Sequence, residues 1–263
     1  LVRLSRIGRT MTRIAILGLV LLATPPLAQP QNDLRAVVGA WVSAHQPQIL
    51  KELVDLLSIP NVASDRANIR RNAEHLRGML AARGFKAELL ETSGNPLVYG
   101  ELAVPGATRT LLLYSHYDGQ PVDAKAWAQP DPFTPVLRTT RVDRGGTEVS
   151  WAGVKPFEPE WRLYARSASD DKAPIVALAA AIDALAASSL RPTWNLRVIL
   201  DGEEEASSPS LVPAIARYRD RLRGDAMVIL DGPIHSSGRP TIAYGARGIV
   251  TLNLTVFGPR AGV

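Results

Sequence analysis

The spacing of apolar positions changes repeatedly along the chain, and each change marks an element. From Asp33 to Leu57, Leu, Val, Trp and Ile recur at helical spacing with an interruption at Pro47, which predicts a pair of helices closed by the turn residues SIPNVAS. A second amphipathic helix is predicted over Ile69 to Arg83, stopped by Gly84, the residue type that ends helices in the left-handed conformation. Lys86 to Glu91, Leu97 to Leu102 and Thr110 to Ser115 read as strands, the first two joined by TSGN. Asp171 to Ala187 is Ala-rich and apolar over much of its surface, so it predicts a largely buried helix, capped by Ser169 or Asp170 and with Pro174 tolerated in its first turn. Leu196 to Leu200 and the apolar run of MVILDG (Met227 to Gly232) read as buried strands, the alternating Ile249 to Phe257 as a further strand, and Leu211 to Arg221 as a helix. Between these lie a Pro- and Asp-rich loop, Pro121 to Pro135, and a hairpin or long excursion, Arg138 to Glu160, around Gly145-Gly146. Helices alternating with strands predict an α/β fold.

Three of the apolar runs end in residues able to bind metal: LLLYSHYD (Leu111 to Asp118), NLRVILDGEEE (Asn195 to Glu205) and MVILDG (Met227 to Gly232). Ligands of open α/β sheets gather beyond the carboxyl ends of the strands. If these three strands are parallel, one sheet edge collects His116, Asp118, Glu204, Glu205 and Asp231. Carboxylates so crowded repel one another unless a cation neutralises them. His116 and Asp118 are two apart on a strand end and point the same way, which lets the carboxylate hold one imidazole nitrogen and leave the other for a metal. Taken singly, each feature has a plain alternative: a polar strand end, a solvated Glu203-Glu204-Glu205 turn, an Asp170 that only caps a helix.

The composition narrows the classes. A chain of 263 residues with 46% hydrophobic content can hold one large domain, or one domain and part of another. Of its net charge of +5, Arg3, Arg6, Arg9 and Arg13 lie in a leader without an acidic residue before Asp33, and setting them aside leaves +1. The charge is therefore no argument for nucleic acid or an anionic membrane as partner. The leader has a basic start, the apolar run Ile14 to Ala23 and a small residue, Ala28, at a cleavage point. Residues 1–28 read as a secretory signal peptide, which predicts a periplasmic or secreted protein without stable membrane insertion once the leader is removed. The absence of cysteine excludes thiolate ligands and thiol nucleophiles, so a metal here must be held by His, Asp and Glu.

In order along the chain, the stretches YSHYDGQPVD, WAQPDPFTPVLR, RLYARSASDDKAP, DGEEEASSPSL and VILDG resemble the co-catalytic zinc peptidase family of carboxypeptidase G, acetylornithine deacetylase, succinyl-diaminopimelate desuccinylase, aminoacylase and carnosinase, and most of all its dipeptidase branch. The resemblance spans Ile49 to Val263. It implies an open, mostly parallel sheet with helices on both faces, followed by the first strand of an α+β lid. Carried over residue by residue, it makes His116 and Asp231 ligands of one metal, Asp170 the carboxylate shared by two, Glu205 a ligand of the other, Asp118 the partner that orients His116, and Glu204 the general base. The cofactor implied is zinc, two per complete site, with cobalt or manganese as alternatives. The substrates implied are small peptides or N-acyl amino acids, whose carboxylate the family grips largely from the lid, and a homodimer is compatible with the full-length protein. Glycines of the family's turns are replaced here by Ala165-Arg166-Ser167, Ala173 and Ser207. The division expected is 1–28 leader, 29–239 catalytic domain and 240–263 the beginning of the lid, with the lid's His-Ser-Gly motif and a fifth ligand His expected in a continuation of the chain. A non-catalytic, truncated homologue that binds metal or peptide is the alternative reading.

Overall fold

The computed structural model describes residues 32–151 and 157–232, together with 235, 237, 239, 241–245, 248, 250 and 252–258. The leader read in residues 1–28 lies outside them. Among the described residues, no helix is long and apolar enough to cross a membrane.

The described residues form four α-helices and seven strands: α1 (Asn32–Leu57), α2 (Arg66–Ala82), β1 (Lys86–Leu90), β2 (Leu97–Leu102), β3 (Thr110–His116), β4 (Val136–Arg138), β5 (Arg162–Tyr164), α3 (Lys172–Ala187), β6 (Asn195–Asp201), α4 (Leu211–Arg217) and β7 (Ala226–Ile229). Five strands form one open sheet in the order β1-β2-β6-β3-β7. The β6/β3 and β3/β7 ladders are parallel and the β1/β2 and β2/β6 ladders antiparallel. The three strands with ligand residues at their ends are therefore adjacent and point one way. Alternate side chains of the sheet enter two cores. Val98, Leu113, Val198 and Leu200 meet α1, α2 and α3 on one face, and Tyr99, Leu112, Tyr114 and Ile199 meet Ala214 and Leu222 on the other.

The helices form for local reasons, and they are held by distant ones. Ile69, Ala73, Leu76 and Leu80 of α2 recur at spacings of four and three and are all buried. The helix is opened by Asp65, whose carboxylate accepts from the Asn68 N–H, and it is followed by Gly84 at φ +83°. Arg83 donates to Glu52 of α1 and Asp183 of α3, tying the three helices of that face together. Lys172, fully buried at the start of α3, donates from Nζ to the carbonyls of Leu56 and Ile59 at 2.9 Å each, which satisfies the end of α1. Burial pushes its pKa down to about 7.

Several expectations are corrected. The predicted helix pair over 33–57 is one helix, because Pro47 removes a single backbone donor, while Trp41 stacks on His45 at 4.1 Å in the turn before it and Leu56 and Leu57 anchor the far end. The cap of α3 is Asp171, rather than Ser169 or Asp170, and its carboxylate is turned to the end of β3 instead of the helix. The strand MVILDG is an exposed edge, with Ile229 58% accessible, since among the described residues nothing covers it. The strand predicted over Ile249 to Phe257 includes residues outside the described set; those described, Val250 and 252–257, are exposed and carry no strand. An extended segment becomes a strand only by pairing, and no strand pairs with it among the described residues.

Candidate metal centre

Strand pairing delivers the site. His116 is the last residue of β3 and stands opposite Asp201, the last residue of β6. The turn after β6 presents Glu204 and Glu205, the backbone beyond β7 is tied to β3 by Leu230 N–H donating to Tyr114 O at 2.8 Å, and Asp231 follows. The turn before α3 brings Asp170 across the top; the Asp170–Asp171 peptide is cis.

His116 is fully buried, and its two nitrogens face different partners. Nδ1 lies 3.2 Å from the Asp118 carbonyl and 3.3 Å from its Oδ1, so Nδ1–H donates to Asp118 and the tautomer that frees Nε2 is favoured. Nε2 faces Asp170 Oδ1 at 2.9 Å, Asp231 Oδ2 at 3.8 Å and Glu204 Oε2 at 4.0 Å. One donor atom each from His116, Asp170 and Asp231 lie within 4.8 Å of one another, the one such group of three among the described residues. Two ligands of a tetrahedral zinc, each about 2.1 Å from it, stand about 3.4 Å apart. The separations from Nε2 bracket that value, and the donor set, one imidazole and two carboxylates, suits a zinc-like cation. The structure does not bring Glu205 into this group: its carboxylate is hydrogen-bonded by the Gln120 amide. His235 also stands apart, in an exposed segment beside Ser237.

The electrostatics are those of carboxylates crowded without a counter-charge. For His116, burial opposes protonation, but the hydrogen bond to Asp118 and the charges of Asp118, Asp171 and Glu204 outweigh it and push its pKa up to about 10. A cation bound here takes the place of that proton. Burial raises Asp171 to about 6, against the hydrogen bonds it receives from Ser115 and the His116 N–H. Glu204 is raised as well, by burial and by the charges of Asp231, Glu205 and Asp118, with His116 acting against them.

Asp118, expected from the sequence to orient His116, also stands against the turn after β6. Its Oδ1 accepts from the Glu204 N–H at 3.0 Å and its Oδ2 from the Glu205 N–H at 3.1 Å, so one buried carboxylate fixes both the imidazole and the backbone of the two glutamates. Three supporting residues were not singled out from sequence. Asp171 binds Ser115 Oγ and the His116 N–H; Asn61, fully buried, donates to Tyr117 O at 2.8 Å and Ser167 Oγ at 3.0 Å; Gln120 holds Glu205. Asp171 had a signal, since it is the second member of an Asp pair. Asn61 and Gln120 have none, because their partners are remote in sequence.

The replaced glycines leave a mark. Ser167 and Ser207 have φ of +60° and +71°, in the left-handed region where a side chain costs about 1 kcal/mol or more relative to glycine. Ser207 closes the turn through its backbone N–H, which donates to Glu204 O at 2.7 Å and which glycine would retain, so Ser207→Gly is expected to raise thermal stability by up to about 1 kcal/mol, read from the unfolding midpoint. A lowered midpoint would show that the hydroxyl group contributes more than the strain removed.

Fold and donor set together define a class: an open α/β domain with a metal-ligand cluster where its parallel strands end. Residues 112–256 match the family model described as peptidase family M20/M25/M40, and the chain belongs to that family. Among similar proteins, the Cys-Gly metallodipeptidase dug1 of Schizosaccharomyces pombe is 26% identical over 235 residues, covering 84% of this chain and 45% of that protein. The human Beta-Ala-His dipeptidase is 32% identical over 155 residues, 58% of this chain and 26% of that one. The solved structure of the M20 family metallo-carboxypeptidase Sso-CP2 from Sulfolobus solfataricus is 30% identical with a TM-score of 0.60, over 73% of this chain and 39% of that one. The chain thus spans less than half the length of each of these relatives.

Proposed function

We propose that the chain is the catalytic part of a metal-dependent hydrolase that cleaves the amide bond of dipeptides or N-acylated amino acids, with two zinc ions and Glu204 as general base. The observation that carries this reading is the ring of carboxylates around His116 Nε2, with Asp170 at 2.9 Å, Asp231 at 3.8 Å and Glu204 at 4.0 Å. Two relatives, a Cys-Gly metallodipeptidase and a Beta-Ala-His dipeptidase, support dipeptides as substrates.

In this reading His116, Asp170 and Asp231 would hold one ion, and Asp170 and Glu205 would serve a second. Bound zinc supplies Lewis acidity, which lowers the pKa of water and polarises a carbonyl. Glu204, its pKa raised, accepts a proton from the attacking water and passes it to the nitrogen of the leaving amine. Asp118 holds the Glu204 backbone, so the carboxylate stays aimed throughout the two transfers. The leader adds the proposal that this chemistry is periplasmic or extracellular, and 240–263 the proposal that a lid, able to support a homodimer, begins there.

The test is hydrolysis of dipeptides by the full-length protein, followed by release of free amino acids. Activity is expected to vanish on treatment with a chelator and return on addition of zinc. Hydrolysis indifferent to the chelator would overturn the metal mechanism, and zinc binding without hydrolysis of any dipeptide or N-acyl amino acid would favour a binding module.

A further inference from the structure

Asp170 reaches the ligand group from the turn before α3, so no strand pairing places it. Its side chain is 65% exposed, and among the described residues its carboxylate has one hydrogen-bond contact, to His116 Nε2. Where that carboxylate stands is therefore set by the backbone of the turn. The turn contains Ser167, which is buried and has φ of +60°, a conformation that favours glycine. Ser167 Oγ accepts from Asn61 Nδ2 at 3.0 Å, and the same amide nitrogen donates to Tyr117 O, one residue beyond His116, at 2.8 Å. A carbonyl can only accept, which fixes the orientation of the amide. Asn61 is fully buried, and its Oδ1 has no partner among the described residues. Its backbone joins the same place: Asn61 O accepts from the Gly119 N–H at 2.8 Å, and Val62 forms an isolated parallel bridge with Gly119. A Cβ on Gly119 would stand 2.4 Å from Ser167 Oγ and 3.2 Å from Asn61 Nδ2, so glycine at 119 is what lets the three segments close in.

As fold stabilisers alone these are poor choices. A buried amide with an unpaired oxygen and a serine in a left-handed conformation both cost stability. Together they make a direct link between the two stretches of chain that carry His116 and Asp170. The other ties of the turn do not duplicate it. Lys172, which donates to Leu56 O and Ile59 O, and Asp171, which binds Ser115 Oγ and the His116 N–H, hold the chain beyond Asp170. On the near side, the Arg166 N–H donates to Pro132 O, in a loop that carries no residue of the ligand group. Ahead of Asp170, the bond from Asn61 is the one that refers the turn to the end of β3.

We infer that Asn61 and Ser167 are positioning residues of the metal centre: the Asn61 amide, bonded at once to Tyr117 O and Ser167 Oγ, fixes how far Asp170 stands from His116. The inference rests on the metal-binding part of the hydrolase reading and deepens it, and it involves no substrate. Groups that orient ligands from behind act on metal affinity as well as on geometry. Asp170 is where such an effect is largest, since it would serve both ions.

The test uses the full-length protein with its Ser167→Gly and Asn61→Ala variants and the double variant. Zinc affinity is read by competition with a chromophoric chelator, ligand geometry from the visible spectrum of the cobalt-loaded protein, and stability from the unfolding midpoint of the metal-free form. Ser167→Gly is the decisive variant, because glycine takes up φ +60° without strain. Its midpoint is expected at or above the parent's, while zinc affinity falls by about 10-fold or more and the cobalt spectrum shifts. Asn61→Ala is expected to weaken zinc binding at least as much and to lower the midpoint too, since Tyr117 O loses its donor. The double variant is expected to bind zinc no more weakly than Asn61→Ala alone, because both changes break one bond. Unchanged zinc affinity and cobalt spectrum in Ser167→Gly, or losses that add in the double variant, would overturn the inference and leave the pair a role in the fold alone. A parent that binds zinc but hydrolyses nothing, with the Ser167→Gly loss present, sinks the hydrolase and keeps the inference. A parent that takes up neither zinc nor cobalt sinks both.

Discussion

Glu204→Gln is expected to lower dipeptide turnover by a factor of about 10² to 10⁴, the usual contribution of a general base, while the protein still folds and still takes up zinc. The two outcomes belong together. Glu204 Oε2 is the most distant of the carboxylates around His116 Nε2, at 4.0 Å, and it is not one of the three closely grouped donors. Its amide replacement keeps the shape of the side chain and removes only the ability to accept a proton from water. The Asp118 clamp acts on the Glu204 backbone and is untouched by the change. The variant is to be compared with the parent by steady-state hydrolysis and by metal content. Retained turnover would remove Glu204 from the mechanism, and loss of zinc alongside turnover would make it a ligand instead.

Asp118→Ala is expected to be the more damaging change, because it acts on three groups at once. The imidazole loses the carboxylate oxygen 3.3 Å from Nδ1 and keeps only the backbone carbonyl of residue 118, and loss of a carboxylate partner of this kind costs about 10-fold or more in metal affinity or activity. The Glu204 and Glu205 N–H groups lose their acceptor in the same step, and each buried donor left unsatisfied costs about 1–3 kcal/mol. Weakened zinc binding, lowered thermal stability and a loss of activity are therefore expected together. Asp118→Asn, which keeps one carbonyl oxygen in place, is expected to recover part of the stability. An Asp118→Ala protein with unchanged zinc affinity and unchanged unfolding midpoint would contradict the account of this residue.

The site was legible in the sequence wherever a residue follows directly from a strand. His116, Glu204 and Asp231 come after apolar runs, and once the three runs are parallel neighbours, the side chains at their ends have to meet. Asp170 was legible only through the order of motifs, since nothing in its own neighbourhood distinguishes a ligand from a helix cap. In the structure Asp171 occupies the capping position, and Asp170 Oδ1 lies 2.9 Å from His116 Nε2. What sequence could not supply was the set of ties made across long separations. Asn61 reaches Ser167, Arg83 reaches Asp183, and Lys172 reaches Leu56, each pair about a hundred residues apart. The misread elements have the same origin. Pro47 predicts a break by local rules, yet packing of the flanking turns keeps the helix whole, and the alternation in 249–257 is a capacity to pair that depends on a neighbouring strand.

The central claim, that the edge formed by β3, β6 and β7 is a metal centre built on His116, is tested most directly by titrating zinc into the metal-free full-length protein and its His116→Ala variant, with bound metal and dipeptide hydrolysis followed in the same samples. Two zinc per chain in the parent, with turnover rising as they bind, and loss of both metal and turnover in the variant are predicted. Equal zinc uptake and equal turnover in the two proteins would contradict it.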